Sequence, residues 1–240
     1  MTEAPILQLR GVSKSFGSVE ILRDVSLDVH AGVRHLLIGP NGAGKTTLFH
    51  VINGHYAPSS GRIDFEGRDV TSLSVAQRAR KGIGRTFQVA SLFPRMSVWE
   101  NLVIAAQAPG LLGRPAQVVR QQADEALNLS GLADKRSRMA GNLAYGEQRL
   151  LEIAMALATK PRMLLLDEPM AGLTQTERLA FAERAIELSS RSALLLIEHD
   201  LEIALRIAER VTVLSLGAVV YDGKASDVLT SPIVREIYLG

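Results

Sequence analysis

A glycine-rich turn near the start of the chain constrains its fold more than any other feature. The stretch "RHLLIG" has the pattern of a short buried strand, and "GPNGAGKTT" follows it and leads into the helix-forming stretch "KTTLFHVING". The turn matches G-x-x-x-x-G-K-[ST] at Gly39, Gly44, Lys45 and Thr46. Glycines let the backbone curl until successive N–H groups converge on one phosphate, and the helix N-terminus adds its positive end. The pattern therefore predicts a phosphate-binding loop.

The same loop supplies groups for the charge on a nucleotide. Lys45 provides a point charge for the β- and γ-phosphates, and the Thr46 hydroxyl is suited to ligate Mg²⁺. A chance glycine turn is the alternative, but the four fixed positions coincide in only about one chain in a hundred of this length. We predict a nucleotide site formed by Gly39, Pro40, Asn41, Gly42, Ala43, Gly44, Lys45, Thr46 and Thr47.

The order of predicted elements favours an α/β fold. The first third of the chain is rich in strand patterns, residues 97–160 have helical spacing, and strands then alternate with helices from "RMLLLDEP" to "VTVLSL". Such alternation is typical of a parallel sheet covered by helices. A hydrophobic content of 47% with only 5% aromatic residues suits a core of Ile, Leu, Val and Ala in a chain of 240 residues.

The composition limits the cellular compartments and the kinds of binding partner that the chain is suited to. A net charge of +2 gives no sign of the basic surface that nucleic-acid binding requires. Cysteine is absent, which excludes disulfides and thiolate sites and fits a reducing compartment. The start "MTEAPILQLR" lacks the pattern of a signal peptide, and no apolar run approaches the ~20 residues that span a bilayer. We therefore expect a soluble, cytosolic chain.

Polar residues follow two of the predicted strands. In "MLLLDEP", Asp167 and Glu168 come directly after an apolar run. Such a pair is by itself an ordinary acidic turn. Downstream of a phosphate loop, however, the first carboxylate is suited to hold the magnesium shell and the second to activate water for attack on the γ-phosphate. His199 ends the next strand pattern, "LLLIEHD", at the edge where ligands gather in open α/β sheets. A purely structural histidine is the alternative there.

Five motifs in a fixed order make the chain resemble the ATP-binding subunits of ABC transporters. They are "GPNGAGKTT", "TFQ", "LAYGEQ", "LLLDEP" and "EHD", and the resemblance covers residues 6–240. It implies a P-loop NTPase fold of the ABC ATPase type, with a RecA-like parallel-sheet core, an antiparallel β-subdomain and an inserted helical subdomain at about residues 90–160. Residues 1–240 would form a single ATP-binding domain with ATP and Mg²⁺ as cofactors.

The stretch "LAYGEQ" occupies the family's signature position. The resemblance implies that it contacts the ATP bound to a partner subunit, through Leu143, Ala144, Tyr145, Gly146 and Glu147. A helix that begins on Ala-Tyr-Gly-Glu lacks an ordinary cap, and we interpret Gly146 as leaving backbone N–H groups open to an anion. A packed surface helix is the alternative, and it explains the apolar face but not this start.

The chain departs from the family's common patterns at several of these positions. Ala144, Tyr145 and Glu147 replace the serine, a glycine and the glutamine of Leu-Ser-Gly-Gly-Gln, and Thr174 replaces the aspartate of Ser-Ala-Leu-Asp. The contacts that the family's serine hydroxyl and aspartate make are therefore not expected in this chain. The variants, together with "GIGRTFQVASLFPRMSVWENL", resemble the branch of importers that serves branched-chain amino acids and related small polar solutes.

Other residues carry over from the family one at a time. Gln88 in "TFQ" matches the glutamine that contacts Mg²⁺ and the γ-phosphate, so the implied metal ligands are Thr46, Gln88 and Asp167. His199 matches the histidine that contacts the γ-phosphate and completes an implied catalytic set with Gln88 and Glu168.

Two apolar features also match the family. Phe16 in "KSFG" matches the aromatic residue that stacks on adenine, although a core residue on a strand face fits the pattern almost as well. The segment after Gln88 matches a groove that receives a helix of the membrane subunit. Ordinary core packing accounts for about half of its apolar residues, which are Phe93, Pro94, Met96 and Trp99.

The resemblance implies an ATPase that drives transport through separate membrane permease subunits. It also implies pairing with a second ATP-binding subunit, as a heterodimer or alternatively a homodimer, and an indirect partnership with a solute-binding protein. The expected location is peripheral, at the cytoplasmic face of the inner membrane. The ATPase of a lipid or lipopolysaccharide exporter and a soluble non-transport ABC ATPase are the alternatives. The latter usually carries coiled-coil insertions or tandem domains, which this sequence lacks.

Overall fold

The computed structural model describes residues 4–86, 92–107, 115–189, 192–198 and 201–239. The strands in these ranges are β1 (Pro5–Phe16), β2 (Val19–His30), β3 (Arg34–Ile38), β4 (Ser60–Phe65), β5 (Arg68–Asp69), β6 (Ile83–Arg85), β7 (Met163–Asp167), β8 (Ala193–Ile197), β9 (Arg210–Ser215) and β10 (Ala218–Lys224). The helices are α1 (Lys45–Ile52), α2 (Val75–Arg80), α3 (Val98–Ala106), α4 (Ala116–Ser130), α5 (Tyr145–Ala158), α6 (Gln175–Ser189), α7 (Leu201–Ile207) and α8 (Pro232–Leu239).

The strands form two sheets. An antiparallel sheet has the order β2-β1-β4-β5, and a six-stranded sheet has the order β10-β9-β3-β8-β7-β6. In the larger sheet β9, β3, β8, β7 and β6 run parallel, and β10 is added antiparallel to β9. The predicted α/β class with a parallel sheet is therefore confirmed. The tail "SPIVREIYLG", to which the sequence patterns assigned no helix, contains α8.

Three apolar clusters hold the elements together. One lies between the antiparallel sheet, α1 and one face of the parallel sheet, and a second covers the opposite face of the parallel sheet beneath α6, α7 and α8. The third joins α3, α4 and α5 through small and aliphatic side chains such as Leu102, Ala123 and Leu151, all fully buried. Because α3–α5 share a cluster of their own, they pack as a bundle beside the sheet. Within the described ranges, none of these helices has the length and apolar character needed to cross a membrane.

The register of the parallel sheet brings distant residues to one edge. Leu37 of β3 and Asp167 of β7 both pair with Ile197 of β8, which lies between these two strands. The carboxyl ends of the three strands are therefore level with one another. The chain segments that leave these ends meet in the crevice where open α/β sheets bind ligands.

Candidate active site

The loop after β3 is packed so closely that it requires glycine at both ends. A Cβ added to Gly39 would lie 2.1 Å from the Leu214 carbonyl oxygen of β9. A Cβ on Gly44 would lie 2.9 Å from Leu22 Cδ2, and Gly44 also has φ +100°, a left-handed conformation that side chains disfavour. The predicted loop thus adopts its tight curl because glycine leaves room for the backbone of β2 and β9.

Lys45 is buried at the first position of α1. Its Nζ donates to the carbonyl oxygens of Gly39 at 2.7 Å and Pro40 at 3.0 Å. Burial lowers the pKa of Lys45, and the negative charges of Glu168 and Asp167 act in the opposite direction. The ammonium group is therefore held inside the curl of the loop, close to both carboxylates that follow β7.

A cavity of about 340 Å³ opens over the loop. The sequence-predicted residues that the structure brings together around it are Asn41, Gly42, Ala43, Gly44, Lys45, Thr46, Thr47 and Glu168, joined by Ile21 of β2. Backbone N–H groups, an ammonium group and a hydroxyl thus surround one space, which has the donor chemistry that phosphate groups require. Glu168 is the carboxylate that reaches this space from β7.

Glu168 occupies a strained backbone position. Its φ is +48°, and its N–H donates to the Ile197 carbonyl oxygen at 2.9 Å. A non-glycine residue in the left-handed region carries an energetic cost that surrounding contacts must offset. Here the hydrogen bond to β8 helps to fix the turn. The backbone from which the Glu168 side chain extends is therefore held in one conformation.

Glu198 supports the same turn, and the sequence patterns missed this role. Its side chain is buried, and its Oε1 accepts a hydrogen bond of 2.8 Å from the Met170 N–H. The motif "EHD" drew attention to His199, yet the neighbouring Glu198 is the residue that contacts the turn after Glu168. The predicted catalytic residues Gln88 and His199 lie outside the described residues.

The oxygen donors present fit Mg²⁺ in combination with a nucleotide. Thr46 offers a hydroxyl at the start of α1 and Asp167 a carboxylate at the end of β7, and Mg²⁺ is usually held by one or two such groups together with phosphate oxygens and water. In the part of the chain that the structure describes, no group of three or more His, Cys, Asp and Glu side chains forms a metal cage. Asp167 also lies near the cationic Arg85, whose pKa is lowered by burial and raised by Asp167.

Phe16 lies at the tip of the β1–β2 hairpin and is not a core residue. It is 43% exposed, and its ring meets the Tyr56 ring edge-on at a centroid distance of 5.0 Å. The Lys14 ammonium group lies 5.0 Å from the Phe16 centroid. Phe16 is outside the lining of the phosphate-loop cavity, but Ile21 on the same hairpin belongs to it. The Phe16 ring thus contacts Tyr56 and Lys14, and Ile21 is the residue of this hairpin that reaches the cavity.

The start of α5 uses the unusual residues of "LAYGEQ" in defined contacts. The Ala144 N–H donates to Glu147 Oε2 at 3.0 Å, which is half of a capping box. Glu147 also forms an ion pair with Lys135, and the hydrogen bond from Lys135 is the main reason that its pKa is lowered. Leu143 is buried in the α3–α5 cluster. Glu147 therefore caps the helix that alanine cannot cap.

Tyr145 and Gly146 contact the turn and helix that follow Glu168. A Cβ added to Gly146 would lie 2.4 Å from Glu177 Oε1, and one on Gly172 would lie 2.8 Å from Tyr145 Cε1. Gly146 has no positive φ, so a side chain at this position would displace the Glu177 carboxylate without straining its own backbone. None of residues 143–147 lines the phosphate-loop cavity.

Thr174, which stands at the family's aspartate position, caps α6. Its N–H donates to Glu177 Oε2 at 2.8 Å, its hydroxyl donates to the same oxygen at 2.7 Å, and it accepts from the Glu177 N–H at 3.4 Å. The hydroxyl is therefore engaged within its own chain. The carboxylate that completes this cap is the one that lies against Gly146.

The apolar segment before α3 divides into exposed and packed residues. Phe93 is 44% exposed, and its backbone is held by the buried Asn101, which accepts from the Phe93 N–H at 2.8 Å. Trp99 instead donates from Nε1 to Asp124 at 3.0 Å, and the Arg136 guanidinium lies 4.6 Å from its ring centroid. Phe93 thus presents an apolar surface, whereas Trp99 is committed to contacts within the helical bundle.

Comparison with known proteins shows that this chain is similar to the ATP-binding subunits of transporters. Residues 22–171 match the family described as ABC transporter. The high-affinity branched-chain amino acid transport ATP-binding protein LivG of Salmonella typhimurium is 38% identical over 98% of this chain and 98% of its own length. The lipopolysaccharide export system ATP-binding protein LptB of Acidithiobacillus ferridurans is 36% identical over 98% and 97% of the two chains. The crystal structure of an ATP-binding cassette of an ABC transporter in its ADP conformation has a TM-score of 0.89 and 34% identity, covering 98% of this chain and 99% of its own.

Proposed function

Because the chain belongs to the ABC transporter family, as an ATP-hydrolysing subunit, we propose that it powers the import of branched-chain amino acids or related small polar solutes through separate membrane subunits. The observation that carries the proposal is the shared edge of the parallel sheet, at which Lys45 and Glu168 face one cavity. The solute class is supported by the 38% identity to LivG over nearly the whole of both chains.

We propose that the loop residues bind the phosphates of ATP. Residues 41–47 line the cavity, and their backbone N–H groups and the Lys45 ammonium group are suited to the β- and γ-phosphates. Nucleotide must compete with the Gly39 and Pro40 carbonyl groups for Lys45 Nζ. Mg²⁺, when bound, would neutralise charge on the phosphate oxygens, and Thr46, Asp167 and Gln88 are the proposed ligands.

Glu168 is the proposed general base. Its side chain lines the cavity that contains the loop, and its backbone is fixed by the hydrogen bond to Ile197. A carboxylate in this position can accept a proton from the water that attacks the γ-phosphate. His199 and Gln88, which follow β8 and β6 in the sequence, are proposed to contact the γ-phosphate, and Phe16 to stack on adenine.

We propose that "LAYGEQ" serves the nucleotide of a partner ATP-binding subunit. Residues 143–147 do not line the cavity of their own chain, and Tyr145 is 52% exposed at the start of α5. The helix N-terminus supplies N–H groups for an anion. A different ATP-binding subunit is the proposed partner, in a head-to-tail dimer, and a homodimer is the alternative.

Coupling to the membrane is proposed to run through the segment before α3. Phe93 and Pro94 are exposed beside the bundle of α3, α4 and α5. We propose that residues of about 90–160 form a helical subdomain of a single ATP-binding domain, residues 1–240. An exposed apolar patch of this kind suits docking of a helix from a permease subunit. The proposed location is the cytoplasmic face of the inner membrane, with a solute-binding protein as an indirect partner.

Purification of the transporter from membranes tests the proposed solute. The tagged chain, extracted in mild detergent, should retain permease subunits, and the reconstituted complex should take up labelled leucine, isoleucine or valine with ATP. The Glu168→Gln variant serves as the control without turnover. An exporter is the second candidate, because LptB is 36% identical to this chain. Stimulation of ATPase activity by lipopolysaccharide, without uptake of amino acids, would favour the exporter and contradict import.

A further inference from the structure

A second cavity lies at the end of the parallel sheet opposite to the phosphate loop. Its volume is about 790 Å³, which is within the range of small-molecule sites. Arg162 in its wall directly precedes β7, whereas Glu168 directly follows this strand. Since a strand rises by about 3.3 Å per residue, these two residues are roughly 20 Å apart. The second cavity is therefore separate from the proposed ATP site.

All three packing units of the chain contribute to the second cavity. The antiparallel sheet supplies Ile6 of β1 and Glu66 of the β4–β5 turn, the α3–α5 bundle supplies Glu125 of α4, and the entry to β7 supplies Lys160 and Arg162. The bundle has an apolar cluster of its own, distinct from the two clusters on the faces of the parallel sheet. A ligand in the second cavity would therefore contact the bundle and both sheets at once.

Two ion pairs in the wall of the second cavity involve the residues that flank Pro161. Lys160 Nζ lies 3.2 Å from Glu125 Oε2, and Arg162 Nε lies 2.6 Å from Glu66 Oε1. Both carboxylate side chains are 31% exposed, whereas the Lys160 side chain is 52% and the Arg162 side chain 65% exposed, so the cations stand nearer to the solvent.

The charge of these four groups favours a ligand without net charge. Two cations and two carboxylates balance one another, and a ligand with a net charge would disturb this balance. A zwitterion keeps it, because its ammonium group can turn inward to Glu66 and Glu125 while its carboxylate meets Lys160 and Arg162. Each charged end of such a ligand gains a charge-assisted hydrogen bond.

The rest of the wall is largely aliphatic. Ile6, Leu129, Leu157 and Pro161 line the cavity. Ile6 belongs to the apolar cluster on one face of the parallel sheet and Leu157 to the cluster on the other face, and each is only 8% exposed. An aliphatic ligand side chain placed against these residues would extend both clusters and leave water.

Lys160 keeps its side chain at a position where glycine is the usual residue. Its φ is +53°, and its N–H donates to the Leu157 carbonyl oxygen at 2.8 Å, directly after α5. Helices commonly end with a residue in this left-handed conformation, which glycine adopts without a steric cost. A lysine there supplies a cation at the expense of backbone strain, which supports a role for its ammonium group.

We propose that the second cavity binds a zwitterionic aliphatic amino acid. The ammonium group of the ligand lies towards Glu66 and Glu125, its carboxylate towards Lys160 and Arg162, and its side chain against the aliphatic wall. A ligand in this place joins the helical bundle to both sheets. The charges and the aliphatic wall define the ligand, so the inference depends neither on the proposed solute nor on the role of the phosphate loop.

Calorimetric titration of the full chain at pH 7 with four probes tests this chemistry. L-leucine should bind, and glycine, which has no aliphatic side chain, should bind at least tenfold more weakly. N-acetyl-leucine lacks the ammonium group and leucinamide lacks the carboxylate. Each of them brings a net charge into the cavity and should also bind at least tenfold more weakly than leucine. Absence of leucine binding, or equal affinity for all four probes, would overturn the proposal.

Lys160→Gly removes one of the cations and is expected to fold, because glycine suits a φ of +53°. Leucine affinity should fall about threefold to tenfold, the loss expected for a hydrogen bond between charged groups that solvent partly screens. Arg206→Gln is the matched control, because the Arg206 side chain is 60% exposed and pairs with Glu202 outside the second cavity. The control should bind leucine as the wild type does. Wild-type affinity in Lys160→Gly would overturn the assignment to this cavity.

Hydrogen exchange locates the ligand without any substitution. Leucine should slow the exchange of amides in α4 and in the turn at Glu66 and Gly67, on the two sides of the second cavity, while amides in α1 stay unchanged. Protection of α1 and the phosphate loop instead would place leucine in the ATP cavity and contradict the proposal. Retained leucine binding in Lys45→Ala, a variant expected to lose ATP, would support two independent sites.

Discussion

The Tyr145 ring lies over Gly172, so closely that a Cβ on Gly172 would come within 2.8 Å of Tyr145 Cε1. Tyr145 is the first residue of α5, whereas Gly172 belongs to the turn that begins at Glu168. Gly172 has φ +77°, so both its conformation and its neighbour require glycine. One aromatic ring therefore joins the helix proposed to serve the partner's nucleotide to the turn that carries the proposed general base.

Removal of that ring should loosen the turn. We expect Tyr145→Ala to lower the kcat of the assembled transporter by on the order of tenfold to a hundredfold, because small displacements of catalytic groups are costly. Tyr145→Phe keeps the ring over Gly172 and its stacking with the Arg149 guanidinium, 5.6 Å from the ring centroid, and should retain most of the activity. Steady-state ATPase assays of both variants check this expectation. Equal activity of the wild type and Tyr145→Ala would show that the contact between Tyr145 and Gly172 does not help to position the catalytic groups.

Glu168→Gln should separate nucleotide binding from hydrolysis. The amide keeps the size of the side chain but cannot accept a proton, so turnover should fall by roughly 10²–10⁴ while ATP affinity persists. Single-turnover hydrolysis and equilibrium binding, both with the partner subunit present, measure the two effects. Glu202→Gln is a suitable control, because the Glu202 side chain is 78% exposed and pairs with Arg206 on α7. Normal turnover of Glu168→Gln would remove Glu168 from the chemistry.

Substitution of Gly146 should impair the assembled ATPase through Glu177. A Cβ at this position would lie 2.4 Å from Glu177 Oε1, and Gly146→Asp also places a second negative charge beside that carboxylate. We expect Gly146→Asp to reduce turnover more than Gly146→Ala does, and both to leave ATP affinity of the isolated chain unchanged. ATPase rates of the transporter and binding to the lone subunit provide the comparison.

A double-substitution cycle tests this explanation. Glu177→Gln removes the charge but keeps a hydrogen-bonding side chain in the α6 cap, so it should recover part of the activity lost in Gly146→Asp and little of that lost in Gly146→Ala. If Gly146→Asp weakens ATP binding to the lone subunit as much as it cuts turnover, the signature belongs to its own site and the assignment to a partner subunit is wrong.

His35 should make the folded chain sensitive to acid. It is fully buried in β3, its Nε2 lies 2.7 Å from Thr212 Oγ1, and burial lowers its pKa from 6.5 to about 4 despite the charge of Asp222. Between these values the unfolded chain binds the proton and the folded chain does not. Stability is therefore fully present above pH 6.5 and is lost as the pH falls towards 4, by about 3 kcal/mol from this one group.

Urea unfolding between pH 4 and 7.5 measures that loss. His35→Gln removes the titrating group and should flatten the pH dependence. Burial also lowers the pKa of His50, which contributes in the same direction, so the difference between the wild type and His35→Gln isolates the contribution of His35. Identical slopes would show that His35 does not titrate between the two states.

Some of this arrangement was predictable from short stretches of sequence. The strand, glycine turn and helix around Lys45 are consecutive, and Asp167 and Glu168 end an apolar strand, so local pattern and the rules of parallel sheets place them at one edge. The five ordered motifs carried the resemblance to ABC transporter subunits, which the comparisons confirm. Local pattern was sufficient wherever the geometry is set by neighbours in the chain.

Contacts between distant segments were not predictable in this way. The hydrogen bond of Glu198 to Met170 and the contact of Gly146 with Glu177 depend on how helices and turns pack, which no periodicity records. The sequence indicates an opening for an anion at Gly146, and the structure places the Glu177 carboxylate against the same position. Val234 of α8 shares a buried cluster with Ile38 of β3, although the two residues lie near opposite ends of the sequence.

The sheet order also determines when the site can first exist. Strand β3 is flanked by β8 and β9, and the contact of Gly39 with Leu214 is also made by β9. On a ribosome, the phosphate loop emerges when none of these neighbours has yet been made. The nascent chain therefore carries β3 with both edges unpaired, a state prone to wrong pairing, until β8 and β9 have been made. A chain interrupted before β9 would carry the phosphate-loop motif in its sequence without the strand that packs against Gly39.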